Sequence, residues 1–164
     1  MMAENVKSVL RELTPAAIAE AKALIREADH AALAVLEPGT GWPLASRVGL
    51  ATLPDGAPLI LISALAAHSA ALDGDPRCSL LIGPVGKGDP LAHPRITLVC
   101  QAAVIAAGST EVAEARSRYL AMHPKAAIYV DLPDFRFFRL TIERASFNGG
   151  FGRAYAIEGP ELLG

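Results

Sequence analysis

The tightest constraint on this chain is the spacing of its apolar runs, which have strand length and are separated by glycine-bearing turns. Residues 31–36 lead through Pro38-Gly39-Thr40-Gly41 into residues 42–51, and Pro54-Asp55-Gly56 then turns the chain into residues 59–62. Turns this short join antiparallel neighbours, because a parallel pair needs a crossover of a dozen residues or so. The pattern is that of a β-meander. Three more strands are expected at residues 77–82, 96–105 and 135–147, the last with Phe138, Leu140 and Ile142 on one side. Residues 83–94 are rich in Gly and Pro and read as a surface loop.

Helical signals lie around these strands. Thr14 is placed to cap a helix whose first residue, Pro15, has no N–H to satisfy. Ile18, Ala21, Ile25 and Ala28 follow at helical spacing and mark its buried face. Residues 67–72 suit a short helix closed by Asp73-Gly74-Asp75-Pro76. Ser109 can cap a third helix with Val112, Ala115, Tyr119 and Met122 on one face and an i,i+4 pair in Glu114 and Arg118. Six mainly antiparallel strands with appended helices define an α+β chain whose sheet closes, or partly closes, into a barrel. We expect one domain over residues 1–164, with its core at about 14–155.

Composition removes several functions. The chain has 164 residues, enough for a core without disulfide or metal staples. Its fifteen Lys+Arg are scattered and its net charge is −2, so no basic face for nucleic acid is expected. No apolar run approaches the roughly 20 residues that span a bilayer. Residues 1–13 show no apolar stretch suited to a leader, so a cytoplasmic location is expected. Cys78 and Cys100 lie far apart inside apolar runs and read as reduced core thiols. No Cys/His spacing suggests zinc, and no Gly-x-Ser-x-Gly elbow or nucleophilic triad is present. If the chain is an enzyme, a cofactor carries its chemistry.

Four segments occur in a telling order: Ala45-Ser46-Arg47-Val48-Gly49, Ile62-Ser63-Ala64-Leu65-Ala66-Ala67-His68-Ser69, Asp75-Pro76-Arg77-Cys78-Ser79-Leu80-Leu81 and Gly88-Asp89-Pro90-Leu91. Together they resemble the FMN-binding split-barrel family related to pyridoxamine 5'-phosphate oxidase. Arg95-Ile96-Thr97-Leu98 and the ending Asn148-Gly149-Gly150-Phe151-Gly152-Arg153-Ala154 are closest to its haem-utilisation branch. The resemblance spans roughly residues 14–155. It implies a six-stranded split β-barrel with flanking helices, a homodimer with FMN at its interface, and a small-molecule substrate of an FMN-dependent oxidoreductase.

The implied cofactor residues are Arg47, Val48, Gly49, Thr52, Ile62, Ser63, His68 and Ser69. Arg47, Ser63, His68 and Ser69 would serve the phosphate, which needs a cation or free N–H groups at a helix N-terminus. Val48, Gly49 and Leu50 would offer backbone groups to the ring edge. His68-Ser69 stands where the oxidases have an Arg-Lys pair, and no match to their C-terminal substrate segment is visible, so turnover of pyridoxamine phosphate is not expected. Haem is the alternative ligand. The haem branch takes its ligand from an additional C-terminal region that the sequence does not show, leaving His68, His93, His123 and His30 as candidates. Without the resemblance, His93 and His123 read as surface residues, His30 and Arg77 as structural. The glycines of residues 148–153, interleaved with Phe147 and Phe151, suggest a packed ending near the flavin edge. A catalytically silent flavin-binding module is the third possibility.

Overall fold

The computed structural model describes residues 9–164; the first eight, part of the stretch read above for a leader, lie outside the described residues. No helix among the described residues is long and apolar enough to cross a membrane. Thr14 caps α1 (Pro15–Glu27), its hydroxyl accepting the Ala17 N–H at 3.1 Å. The buried stripe is Ala17, Ala21 and Ile25, while Ile18 and Ala28 are only half-buried, so the helix is turned slightly from the expected face.

The strands are β1 (His30–Leu36), β2 (Pro43–Gly49), β3 (Ala51–Thr52), β4 (Pro58–Ser63), β5 (Arg77–Ile82), β6 (Arg95–Val104), β7 (Phe135–Asn148) and β8 (Ala154–Glu158). α2 (Ala67–Gly74) precedes β5, and α3 (Thr110–Met122) precedes β7. All pairings between strands are antiparallel, in the order β2-β1-β5-β6-β7-β4-β3, with β8 also on β7. The α+β split-barrel reading holds, with eight strands in place of six. One addition is β8, which residues 149–153 bring back as a hairpin. The other comes from the run 42–51, which breaks at Leu50.

That break closes the barrel. β2 and β3 lie at opposite ends of the sheet, yet only Leu50 separates them in sequence. The sheet must therefore curl until its ends meet. β2 comes close to β4 there without pairing with it, and this seam is the split. Leu50 is fully buried, and its backbone is held from two sides: its N–H donates to the Asp29 carbonyl at 2.9 Å, and His123 Nε2 bonds its carbonyl at 2.8 Å. His123 is thus a half-buried clasp rather than a surface residue. Arg118 likewise leaves Glu114 and donates to the carbonyls of Thr52 and Leu53.

Inside the barrel, alternate residues of β1, β2, β5, β6 and β7 form the main core with α1 and α2. Phe138, Leu140 and Ile142 belong to it as expected, and so do Ala145 and Phe147, which have the other parity. A register shift opposite Val99/Cys100 leaves Glu143 unpaired and flips the alternation. Gly159 packs on this bulge so closely that a Cβ would stand 1.7 Å from the Ile142 carbonyl oxygen. Outside the barrel, Leu59, Leu61, Phe137 and Ile105 meet Ala115 and Tyr119 of α3 in a second core.

Candidate functional site

Strand alternation sorts the outer face of β2–β1–β5–β6 into rows. One row runs Arg47–Ala32–Leu81–Thr97, and the next Ala45–Ala34–Ser79–Val99. Apart from Arg47 these side chains are uncharged, and no helix of the described residues covers them. Leu81 is 50% exposed. Arg47 stands at the end of its row, exposed and without a hydrogen bond or ion pair to any described residue. A cleft of about 380 Å³ covers this spot, lined by His30, Ala32, Ala45, Ser46, Arg47, Leu81 and Gly83. A second cleft of about 300 Å³ adjoins it, sharing His30 and Gly83 and adding Leu24, Glu27, Ala28, Asp29 and Pro84.

The backbone of β2 contributes as well. Leu50 N–H bonds Asp29 and Glu37 N–H bonds the Trp42 carbonyl, so the hydrogen-bonded pairs of this ladder include Ala31↔Val48 and Leu33↔Ser46. Arg47 and Gly49 fall between those pairs. As β2 is the edge strand, their N–H and C=O groups point into the split. Val48 has its backbone in the ladder and its side chain in the core, and Leu50 is occupied on both sides. Gly49 also marks where α3 ends its cover, since a Cβ there would stand 2.3 Å from the Tyr119 hydroxyl.

Ser63, His68 and Ser69 gather at the junction of β4 and α2. The Ser63 hydroxyl donates to Asp134 Oδ2 at 2.8 Å and accepts the Leu65 N–H at 3.2 Å. Ser69 is fully buried, and its hydroxyl accepts from the Arg136 guanidinium, which also pairs with Asp73 and lies over the Phe138 ring. Asp134 and Arg136 carried no sequence signal, because only the pairing of β4 with β7 brings them here. His68 Nδ1 bonds Ser46 Oγ at 3.0 Å, tying α2 to β2. Burial holds the His68 pKa below the ordinary histidine value, which favours a neutral ring. Ser46 and Arg47 project from opposite faces of β2, so His68 and Arg47 also lie on opposite sides of that strand. Ile62 is buried in the core, and Thr52 is buried with its carbonyl taken by Arg118.

The four histidines differ in what remains free. His93 Nε2 bonds the Lys87 carbonyl and His123 Nε2 that of Leu50. His30 sits on the outer face, two residues from Ala32, with Nδ1 at 2.5 Å from Asp29 Oδ1 and no partner at Nε2. That hydrogen bond holds the Asp29 carboxyl below its ordinary pKa. Arg77 opens β5 in a bidentate pair with Asp75, the structural role expected for it. The ending differs from expectation. Phe147 is buried, but Phe151 is 66% exposed at the tip of the β7–β8 turn, where Gly149 N–H bonds the Arg153 carbonyl. A larger cleft of about 650 Å³ lies between α3 and the end of β6, but its cations Arg116 and Arg136 are already paired with Asp131 and Asp73.

Comparison with known proteins places this geometry in context. The family model described as pyridoxamine 5'-phosphate oxidase matches residues 17–149. A curated relative, the chloroplastic non-canonical heme oxygenase HOZ of Arabidopsis thaliana, is 34% identical over 119 residues, which are 73% of this chain and 36% of that protein. A heme binding protein from Mycobacterium smegmatis superposes with a TM-score of 0.83 at 34% identity, covering 92% of this chain and 61% of that one. Campylobacter jejuni ChuZ shares the fold, with a TM-score of 0.81 at 17% identity over 93% of this chain and 63% of its own. The chain therefore spans about a third of the curated relative and under two thirds of these two structures.

Proposed function

The chain belongs to the pyridoxamine 5'-phosphate oxidase family, and on that premise we propose that it binds FMN on the open outer face of β2–β1–β5–β6, between two copies of itself. The observation that carries this reading is Arg47, an unpaired guanidinium at the rim of a flat, uncharged, uncovered sheet surface. A free arginine fork suits a phosphate. Ala32, Ala45 and Leu81 leave an apolar seat for a planar ring. The outward N–H and C=O groups of Arg47 and Gly49 suit its polar edge. At the β4–α2 junction, the Ser63–Asp134 and Ser69–Arg136 bonds hold α2 in place. The uncapped first turn of α2 and His68 offer N–H donors on the other side of β2 from Arg47, outside this seat. Bound FMN would supply electron transfer, making the chain an oxidoreductase that acts on a small organic molecule. A second copy covers the ring and the exposed Leu81, in an interface of about 2,000 Å² or more.

Haem is the second reading, and His30 favours it. His30 is the histidine on the Arg47 face with an unengaged Nε2, and its Nδ1–Asp29 bond is the second-shell support typical of metal-ligating histidines. Two of the relatives at 34% identity, the Arabidopsis and Mycobacterium proteins above, carry haem in their names.

The absorbance spectrum of the chain purified without added cofactor separates the readings. FMN predicts two flavin bands that acid releases into solution. A Soret band lost in His30→Ala would replace FMN with haem, and a featureless spectrum that neither ligand alters would leave a dimerisation module.

A further inference from the structure

Cys78 and Cys100 are direct cross-strand partners on β5 and β6, both on the inner face. Their separation follows from the ladder. The Ala102 N–H donates to the Pro76 carbonyl at 2.8 Å, which makes 76↔102 a hydrogen-bonded position. Two residues on, 78↔100 is hydrogen-bonded too, with a Cα separation of about 5.5 Å. That spacing falls within the range spanned by disulfides. Both side chains point the same way, as a bridge requires. From this juxtaposition we infer that Cys78 and Cys100 form a closable dithiol, an oxidation site built into the wall of the barrel.

Burial restrains the reaction without forbidding it. The two residues are 7% and 2% exposed, and burial pushes the Cys78 thiol up to about 12 and raises Cys100 as well. The attacking thiolate is therefore scarce in the closed molecule. Access comes from local opening, and the ladder is weakest beside Cys100. The register shift between Val99 and Cys100 leaves Glu143 of β7 without a register partner next to it, with Gly159 packed against the bulge backbone. Oxidation by an azo compound balances as follows. One thiolate adds to the N=N bond, and the second displaces the hydrazine from sulfur. Two S–H bonds are lost, one S–S bond forms, and N=N is reduced to HN–NH.

The test treats the full chain with diamide under native conditions and maps the product by intact mass and non-reducing peptide analysis. The expected product has lost two hydrogens, carries a 78–100 cross-linked peptide pair and keeps its hydrodynamic size. It should also unfold at higher denaturant than the reduced chain. Cys100→Ala should yield no internal cross-link. Three results would each overturn the inference: thiols that stay reduced in the folded chain while the urea-unfolded chain oxidises, cross-links that form between chains, or an internal disulfide that lowers the unfolding midpoint.

Discussion

The barrel has two outer surfaces that follow the same alternation and meet opposite fates. On β3–β4–β7 the outward positions are Leu59, Leu61 and Phe137, and α3 lies across them with Ala115 and Tyr119. Across the middle of β2–β1–β5–β6 they are Ala32, Ala34, Ala45, Ser79, Leu81, Thr97 and Val99, with Arg47 unpaired at the rim, His30, Arg77 and Arg95 farther out along their strands, and no helix of the described residues above. The boundary is Gly49, whose missing side chain lets the Tyr119 hydroxyl sit against β2. Large apolar side chains on one surface recruit a helix from within the chain. Small ones on the other leave a flat area that a helix would gain little by covering, yet water would not favour. Such a face suits a planar ligand or a second copy.

Substitutions on the two surfaces should therefore fail differently. The largest effect is expected on the covered side. Phe137→Ala removes a buried ring that packs edge-on against Tyr119, centroids 5.8 Å apart, and should cost about 3–5 kcal/mol of stability in chemical denaturation. An unchanged midpoint would show that α3 does not depend on this core. On the open side, Leu81→Asp should leave the single chain within about 0.5 kcal/mol of the parent. Burying an unpaired carboxylate between copies should cost about 3 kcal/mol or more, so sedimentation should show the dimer dissociating. A dimer that survives this change does not use this face.

How much of this could be read from sequence differs along the chain. The meander was legible because Gly39, Gly41 and Gly56 each adopt positive φ at a turn, a local demand that leaves a local mark. Thr14-Pro15 marked its helix for the same reason. β8 was missed although Tyr155 and Ile157 alternate as a strand should, because the three glycines just before them suggest a packed ending near the ligand and not a hairpin turn. Arg47 stood out as a site residue, but its isolation from His68 depends on strand parity. Asp134 and Arg136 reach Ser63 and Ser69 across some 70 residues, and His123 reaches Leu50 from a similar distance. Cys78 and Cys100 were read as distant and proved to be register partners. Long-range pairing of this kind leaves no pattern in a single sequence.

The smallest effect concerns pH. Burial lowers the His68 pKa in the folded chain, so between that value and the unfolded value near 6.5 the unfolded state binds more protons. The stability tied to neutral His68 is complete above that unfolded value and falls as pH drops through the folded pKa. His68→Gln should flatten the decline of the unfolding midpoint between about pH 7.5 and pH 5.5. The effect will be modest, because His68 is only partly buried. An identical slope in the variant would assign the decline to other groups. The lowered carboxyls of Asp29, Asp55, Asp75 and Asp131 act below their ordinary range and do not overlap this window.

The central claim is that the open face holds a phosphate-bearing flavin through Arg47, and it is tested most directly by titrating FMN and riboflavin against wild type and Arg47→Ala. The two ligands share the ring and differ in the phosphate. Charge-assisted hydrogen bonds contribute about 1.5–3 kcal/mol, so the variant should bind FMN about ten- to a hundred-fold more weakly, followed by flavin fluorescence. Riboflavin affinity should barely change, and the unfolding midpoint should match wild type, because the exposed Arg47 side chain makes no hydrogen bond or ion pair with any described residue. Equal loss of both ligands, or no loss of FMN, would contradict the claim and move the phosphate away from this face.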